Sequence, residues 1–285
     1  MKSLLLIALL AGLPPLAPAA DAPEAAYTPP SSKEILGSTF VDWDALAFKA
    51  TPAGRYCQVF DQPSRSFEKV EVHVTVLNPG CSPHPAHHHA WEEMMLIREG
   101  HVRMSINGKL IPAGPGDLVF VASHDVHGIT NVGSSPATYL VINFVASSVH
   151  TVPDRPASEW AGKDRLASQV FACDRLAAGP VESGKHREIF DSSTVTLRRL
   201  ETHITTLDPG ASTKARNRDP SDELFVVKKG RLLVTLNGVS AMLSAGSFYY
   251  VAPNDERTMK NVGSAPASYQ VLRFVSEASP ARPQA

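Results

Sequence analysis

Residues 87 to 93 read His-His-His-Ala-Trp-Glu-Glu. Imidazoles and carboxylates crowded this tightly are expensive to bury unless something binds them, and a divalent metal ion is the usual occupant. The segment carries extra weight because the chain contains a second copy of its surroundings from which the histidines are missing.

The copy appears when the chain is laid over itself with a shift of 130 residues. Residues 131–139, Asn-Val-Gly-Ser-Ser-Pro-Ala-Thr-Tyr, fall on 261–269, Asn-Val-Gly-Ser-Ala-Pro-Ala-Ser-Tyr, with seven of nine positions identical. Asn78-Pro79-Gly80 falls on Asp208-Pro209-Gly210, Gly100 on Gly230, Asn107-Gly108 on Asn237-Gly238, and Gly116 on Gly246. The register runs without an insertion from about residue 40 to 147, so two copies of one unit make up most of the chain. Each copy reads as short strands. The run 70–77, Val-Glu-Val-His-Val-Thr-Val-Leu, is β-branched and partly alternating, and further runs at 94–98, 101–106, 117–121 and 137–145 follow it. Asn107-Gly108 and Asn237-Gly238 are hairpin turns, since both residue types accept positive φ. Many short strands with Gly and Pro punctuation predict an all-β sandwich or barrel. The expected organisation is a leader at 1–19, an Ala/Pro-rich segment at 20–39, a first unit at 40–147, a connector at 148–169, a second unit at 170–278 and a tail at 279–285.

With these residues in view the chain resembles the cupin superfamily, and specifically a bicupin. The first cupin motif is matched by Gly80, His87-His88-His89, Glu93 and Gly100, and the second by Gly116-Asp117 followed by His127 and Asn131. The resemblance implies two tandem double-stranded β-helix (jelly-roll) barrels. It also implies four metal ligands in the first: His87, His89, Glu93 and His127. The spacing agrees. Residues i and i+2 on a strand share a face, so His87 and His89 can reach one ion while His88 points away, to solvent or into packing between subunits. His84 is a weaker candidate. Three imidazoles and a carboxylate suit one divalent transition metal, among Mn, Fe, Co, Ni, Cu and Zn.

Under the same shift His87 becomes Asn217, His89 becomes Asp219, Glu93 becomes Glu223 and His127 becomes Arg257. Arg offers no lone pair, so the second unit is expected to be metal-free, with the guanidinium pairing with Glu223 and Asp219 in place of an ion. Positions equal in both copies read as architecture: His73 with His203, Tyr139 with Tyr269. Trp91, Glu92, Met94, Met95, His101 and His124 have no such match and are the better functional candidates. Met95 and Ile97 share the face of Glu93 and are expected to line the cavity, with Met104 similar.

An open-sided metal in an apolar barrel can activate water or polarise a carbonyl. The chain most resembles dioxygenase-like bicupins of unassigned substrate. It departs from oxalate decarboxylase-like bicupins, which carry metal sites in both halves. The expectation is a metal-dependent enzyme on a small organic molecule, with no general base assigned. The alternative is a non-catalytic small-ligand-binding or sensory module. The chain has 285 residues, 43% hydrophobic and 19% charged, with a net charge of −1, a balance that argues against nucleic acid as the main partner. Lys2, the apolar run 4–10 and Ala17-Pro18-Ala19 read as a cleaved signal peptide, too short to span a bilayer. The mature protein is expected in the periplasm or outside the cell, with no membrane partner, and pairing into a homodimer stays open. Cys57, Cys81 and Cys173 leave one thiol over if two of them pair.

Overall fold

A computed structural model describes residues 22–213 and 218–281. The leader read at 1–19 lies outside the described residues. The first repeat supplies β1 (Thr39–Val41), β2 (Lys49–Thr51), β3 (Gly54–Gln62), β4 (Lys69–Leu77), β5 (Glu93–Glu99), β6 (Val102–Ile106), β7 (Lys109–Ala113), β8 (Leu118–Val121), β9 (His127–Asn131) and β10 (Ala137–Val145). The second supplies β11 (Gln169–Phe171), β12 (Gly179–Val181), β13 (Gly184–Ser192), β14 (Arg199–Leu207), β15 (Asp222–Lys229), β16 (Arg231–Leu236), β17 (Val239–Ser244), β18 (Phe248–Val251), β19 (Arg257–Asn261) and β20 (Ala267–Val275). The hairpins β6–β7 and β16–β17 turn at the two Asn-Gly pairs, where Asn107 and Gly108 have φ of 47° and 77°, and Asn237 and Gly238 have 46° and 84°.

Each half is a jelly roll of one seven-stranded and one three-stranded antiparallel sheet. In the first half the orders are β11-β8-β5-β10-β4-β3-β2 and β7-β6-β9; in the second, β1-β18-β15-β20-β14-β13-β12 and β17-β16-β19. The barrel expected from the sequence is not closed by hydrogen bonds among the described residues. No strand of a small sheet joins the ladder of a large one, so each half is an open sandwich.

The inner strands of the large sheets are buried on both faces, and the period-2 alternation divides their side chains between two cores. In β4, β5, β8 and β10, residues such as Val72, Leu96, Phe120, Leu140 and Phe144 enter one core shared with Leu200, Ile204, Leu224, Leu272 and Phe274 of the second half. The alternate residues, among them Met95, Ile97, Val119, Val121, Tyr139 and Val141, enter a separate core under the small sheet of the first half. The second half repeats this with Phe225, Tyr249, Tyr269 and Val271. That double burial explains why β10 is buried along its whole length and apolar at all but Thr138 and Asn143.

The halves also exchange their leading strands. β1 pairs with β18 of the second half, and β11 pairs with β8 of the first. A cut near residue 40 or 170 therefore divides the repeats in sequence but not the sheets in space. The three cysteines are free thiols, two of them buried.

Candidate metal centre

Four side chains meet at the mouth of the first jelly roll, and different elements deliver them. Glu93 opens β5 in the large sheet, opposite Val121 of β8. His127 opens β9 in the small sheet. His87 pairs with it through the backbone, His87 N to His127 O at 3.0 Å and His127 N to His87 O at 2.8 Å. The His124 amide donates to His89 O at 2.8 Å and carries the pairing two residues further. The segment 87–89 is thus held as an extended edge beside β9, and alternation turns His87 and His89 to the same side.

His89, His127 and Glu93 are buried and His87 is half-buried. Ring centroids are 4.6 Å apart for His87 and His127, 4.9 Å for His89 and His127, and 5.3 Å for His87 and His89. Ligand-type nitrogens of the three lie within 4.8 Å of one another. The structure brings together all four side chains expected from the sequence. His84 stands exposed at the rim, edge-on to His87 at 4.3 Å, outside the converging group.

Bonds at the far side of two rings fix their tautomers. His89 Nδ1 lies 2.7 Å from the Trp91 carbonyl oxygen, and His127 Nδ1 lies 2.9 Å from that of Asp125. A carbonyl cannot donate, so each Nδ1 carries the proton and each neutral ring presents a lone pair at Nε2. Both lone pairs face Glu93, at 3.6 Å from His89 Nε2 to Oε2 and 3.4 Å from His127 Nε2 to Oε1. Neither Nε2, nor Nδ1 of His87, has a hydrogen-bond partner, although all three atoms are buried. Acceptors facing acceptors in an interior require a cation between them. Metal–ligand bonds of 2.0–2.2 Å set ligand atoms about 3.0 Å apart on an octahedron and about 3.4 Å apart on a tetrahedron, close to the separations here. The donor set fits a divalent transition metal.

Without an ion, burial and the neighbouring rings of His127, His84 and His89 lower His87 to about 3. Burial lowers His89 as well, against the pull of Glu93. On His127 burial acts in the same direction, but the Glu93 carboxylate outweighs it and the ring is raised. Glu93 resists its own burial and is held well below the usual carboxylate range by His127 and His89.

Trp91 clamps the site from behind. Its indole stacks on His89 at 4.1 Å and 5° from parallel, while its carbonyl holds the same ring's Nδ1. A cavity of about 570 Å³ opens on Glu93 and His127, with Leu77, Met95, Ile129, Tyr139 and Val141 on its apolar wall. Met95 lines it as expected. Ile97 and Met104 lie in the core behind it. His73 and Tyr139, read as architecture from their repetition, also face the cavity, with His73 Nδ1 2.7 Å from Glu71 Oε1. Met94 belongs to the core between the halves, and His101 sits in an exposed turn. Glu92 turns away from the site, as alternation requires, and enters the contact between the halves.

In the second half Arg257 and Glu223 meet, with Nη2 2.7 Å from Oε1. Arg273, which the sequence reading missed, donates from Nε to the same oxygen at 2.7 Å and from Nη1 to Glu201 Oε2 at 2.7 Å. Burial pushes the Glu223 carboxyl up and the two guanidiniums pull it back. Asp219 is held below its usual range, against burial, by the Ser221 hydroxyl and amide and by the charges of Arg273 and Arg257. Asn217 lies outside the described residues. Among the described residues the second half contains no cluster of three His, Cys, Asp or Glu side chains able to hold an ion.

The sequence matches the family described as "Cupin domain" twice, over 73–143 and 203–273. No curated protein matches the chain by sequence. Among solved structures, a Pseudomonas aeruginosa protein described as glyoxylate-induced superposes with a TM-score of 0.68 at 14% identity, covering 93% of this chain and 97% of its own. An oxalate decarboxylase from Lactobacillus farciminis, solved with formate, gives 0.63 at 15% identity over 88% and 90%. The oxalate decarboxylase of Bacillus subtilis, described with Mn(II) centres, gives 0.62 at 14% identity over 87% and 80%. At such identities these likenesses speak for the fold alone.

Proposed function

The chain belongs to the cupin superfamily as a tandem pair of cupin domains, and from that premise we propose that its first half is a metal-dependent, dioxygenase-like enzyme. In this reading one divalent transition metal is held by His87, His89, Glu93 and His127, and the substrate is a small organic molecule. One observation carries the reading: buried, partnerless imidazole nitrogens converge beside a buried carboxylate, at the floor of a cavity of about 570 Å³. That volume is in the range of small-molecule sites.

An ion in this place supplies a Lewis acid with open coordination positions. The chain's own residues do the rest. The carbonyls of Trp91 and Asp125 keep the Nε2 atoms of His89 and His127 unprotonated and aimed at Glu93. The Trp91 ring prevents His89 from turning over. The wall of Leu77, Met95, Ile129 and Val141 excludes water and favours a substrate with an apolar body. Arg257 and Arg273 put permanent positive charge where the second half would otherwise hold an ion, so a single reactive centre per chain is expected.

The same apolar wall supports a second reading, a metal-stabilised module that holds a small ligand without turning it over. The two separate in one experiment. Protein loaded in turn with Mn, Fe, Co, Ni, Cu and Zn is offered flavonols, catechols, diketones and small carboxylic acids, with oxygen uptake and products followed. Turnover that disappears in His127→Ala supports the enzyme. Tight binding with no turnover across the panel supports the module. A cavity-site variant that retains full metal and full activity defeats both.

We propose further that the protein is exported. The support is in the sequence: Lys2, a short apolar run and Ala17-Pro18-Ala19. Mass determination of the mature N-terminus after cell fractionation tests it, and an intact N-terminus in the cytoplasmic fraction counts against it.

A further inference from the structure

Between His87 and His89, His88 turns its ring the other way and meets a second group of ligand-type side chains. Its Nδ1 lies 3.3 Å from His124 Nδ1. Asp154 Oδ1 lies 3.5 Å from that same His124 nitrogen. Donor atoms of all three residues fall within 4.8 Å of one another. Glu24 stands beside them: the backbone on either side of it pairs with His88, Ala25 N to His88 O at 2.7 Å and His88 N to Pro23 O at 3.2 Å. We propose that His88, His124 and Asp154, with Glu24 within reach, form a second and independent binding site for a divalent transition metal of the zinc, copper or nickel kind.

Three observations carry this. The first is spacing. N–H···O hydrogen bonds, the kind open to His124 and Asp154, centre near 2.9 Å, whereas ligand atoms around a tetrahedral ion with bonds of about 2.0–2.1 Å stand about 3.3–3.4 Å apart. The observed 3.3 Å and 3.5 Å fit the second figure. The second is the repeat. His124 sits in a left-handed turn with φ of 57°, and its twin Asn254 makes the same turn with φ of 66°. The turn therefore needs no imidazole, and the His is there for something else. His88 has Arg218 as its twin, and Asp154 belongs to the connector, so the cluster is peculiar to the first half. The third is access. His124 is buried, 3% exposed, which desolvates a nitrogen donor, while Asp154 is exposed and leaves the cluster open to an ion from solvent. Two imidazoles with one or two carboxylates select the later first-row metals over calcium or magnesium. No residue of this group belongs to the cavity centre, so each site can fill without the other.

The test uses the mature chain without a polyhistidine tag, stripped with chelator and reloaded with Zn2+ or Co2+. Metal per chain is then counted by elemental analysis after gel filtration. Wild type is expected to hold two equivalents, His127→Ala one, His124→Asn one, and the double variant none. Asn is the residue the second half already uses in this turn, so the backbone is preserved. In His127→Ala, Co2+ is expected to give a tetrahedral absorption band that His124→Asn removes. Asp154→Asn, at an exposed position, is expected to weaken the ion remaining in His127→Ala by about tenfold or more against a chromophoric chelator. Equal metal in His124→Asn and wild type, or an unchanged affinity in Asp154→Asn, overturns this site. Equal metal in His127→Ala and wild type overturns the cavity site instead.

Discussion

Phe144 and Phe274 hold the same place in the two repeats and stack on each other, with ring centroids 3.7 Å apart and planes 5° from parallel. A residue meets its own twin only on or beside a two-fold axis. The two halves are thus packed as an intramolecular copy of an isologous dimer, and other contacts obey the same rule. Glu92 accepts from the amides of Val195 and Thr196 and from the hydroxyls of Thr194 and Thr196. Its twin Asp222 accepts from the Tyr250 hydroxyl and is buried in the same way. Arg98 lies over Trp43 at 3.5 Å, and its twin Lys228 meets Asp174 at 3.6 Å.

The first prediction is symmetric. Phe144→Ala and Phe274→Ala each open a cavity in the one core that both halves share, and each is expected to cost about 3–5 kcal/mol. Urea unfolding should give a single transition at a similarly lowered midpoint in both variants. Two separated transitions, with one half outlasting the other, would contradict a common core.

Glu92 ties that core to the metal centre, since it is the neighbour of Glu93 and its carboxylate is fully engaged by the second half. Glu92→Ala strands two amides and two hydroxyls, each unsatisfied buried donor costing about 1–3 kcal/mol before relaxation. Stability is expected to fall, and metal affinity with it, because β5 loses its anchor at the residue beside the ligand. A double-mutant cycle with Thr196→Val, read by urea unfolding, should show coupling of about 1 kcal/mol or more. Strict additivity would refute the link.

How much of this was legible in the sequence depends on how far each cause reaches along the chain. The strands and the His87, His89, Glu93 grouping rest on local spacing and alternation, so they could be read directly. His127 was legible only through the cupin motif, because it arrives from the small sheet by backbone pairing with His87. The exchange of β1 and β11 between halves left no mark: three-residue strands fit either partner sheet equally well. Arg273 was missed because its partners Glu223 and Glu201 lie on strands far away in sequence and its twin is the unremarkable Asn143. His73 was assigned to architecture because it recurs as His203, yet in the first half the same position faces an open cavity.

Acid should unfold the ion-free protein through His87. An unfolded histidine titrates near 6.5, and burial with neighbouring imidazoles lowers His87 to about 3 when folded. Between those values only the unfolded chain takes the proton. The contribution is therefore complete above pH 6.5 and is lost as pH falls toward 3. His127, raised by Glu93, works in the opposite sense, so the informative quantity is a difference. Stability of wild type minus that of His87→Asn, both stripped of metal, is expected to decline from pH 7 to pH 4 in urea titrations. A flat difference would mean that His87 is not desolvated.

Trp91→Leu tests the clamp behind His89. The backbone carbonyl that holds Nδ1 remains, while the stacked ring at 4.1 Å is lost. Outer-shell partners of metal-ligating histidines are worth about 10–100-fold in affinity, so a loss of about tenfold is expected by competition with a chelator. In wild type, Cu2+ binding should quench the fluorescence of this indole, and the variant should lack that response.

Restoring a metal site in the second half is the sharpest test of why it lacks one. Writing the first half's ligands into the second, as Asn217→His, Asp219→His and Arg257→His, gives the half that holds Glu223 the three imidazoles its sequence lacks. Arg273 remains, however, with Nε 2.7 Å from Glu223 Oε1. That guanidinium both occupies the carboxylate and repels a divalent ion. The triple variant is therefore expected to bind no additional metal. Adding Arg273→Asn, the residue its twin Asn143 already provides, should free Glu223 and add one equivalent per chain by elemental analysis. If the triple variant alone gains the ion, Arg273 is no barrier, and the cationic replacement reduces to Arg257.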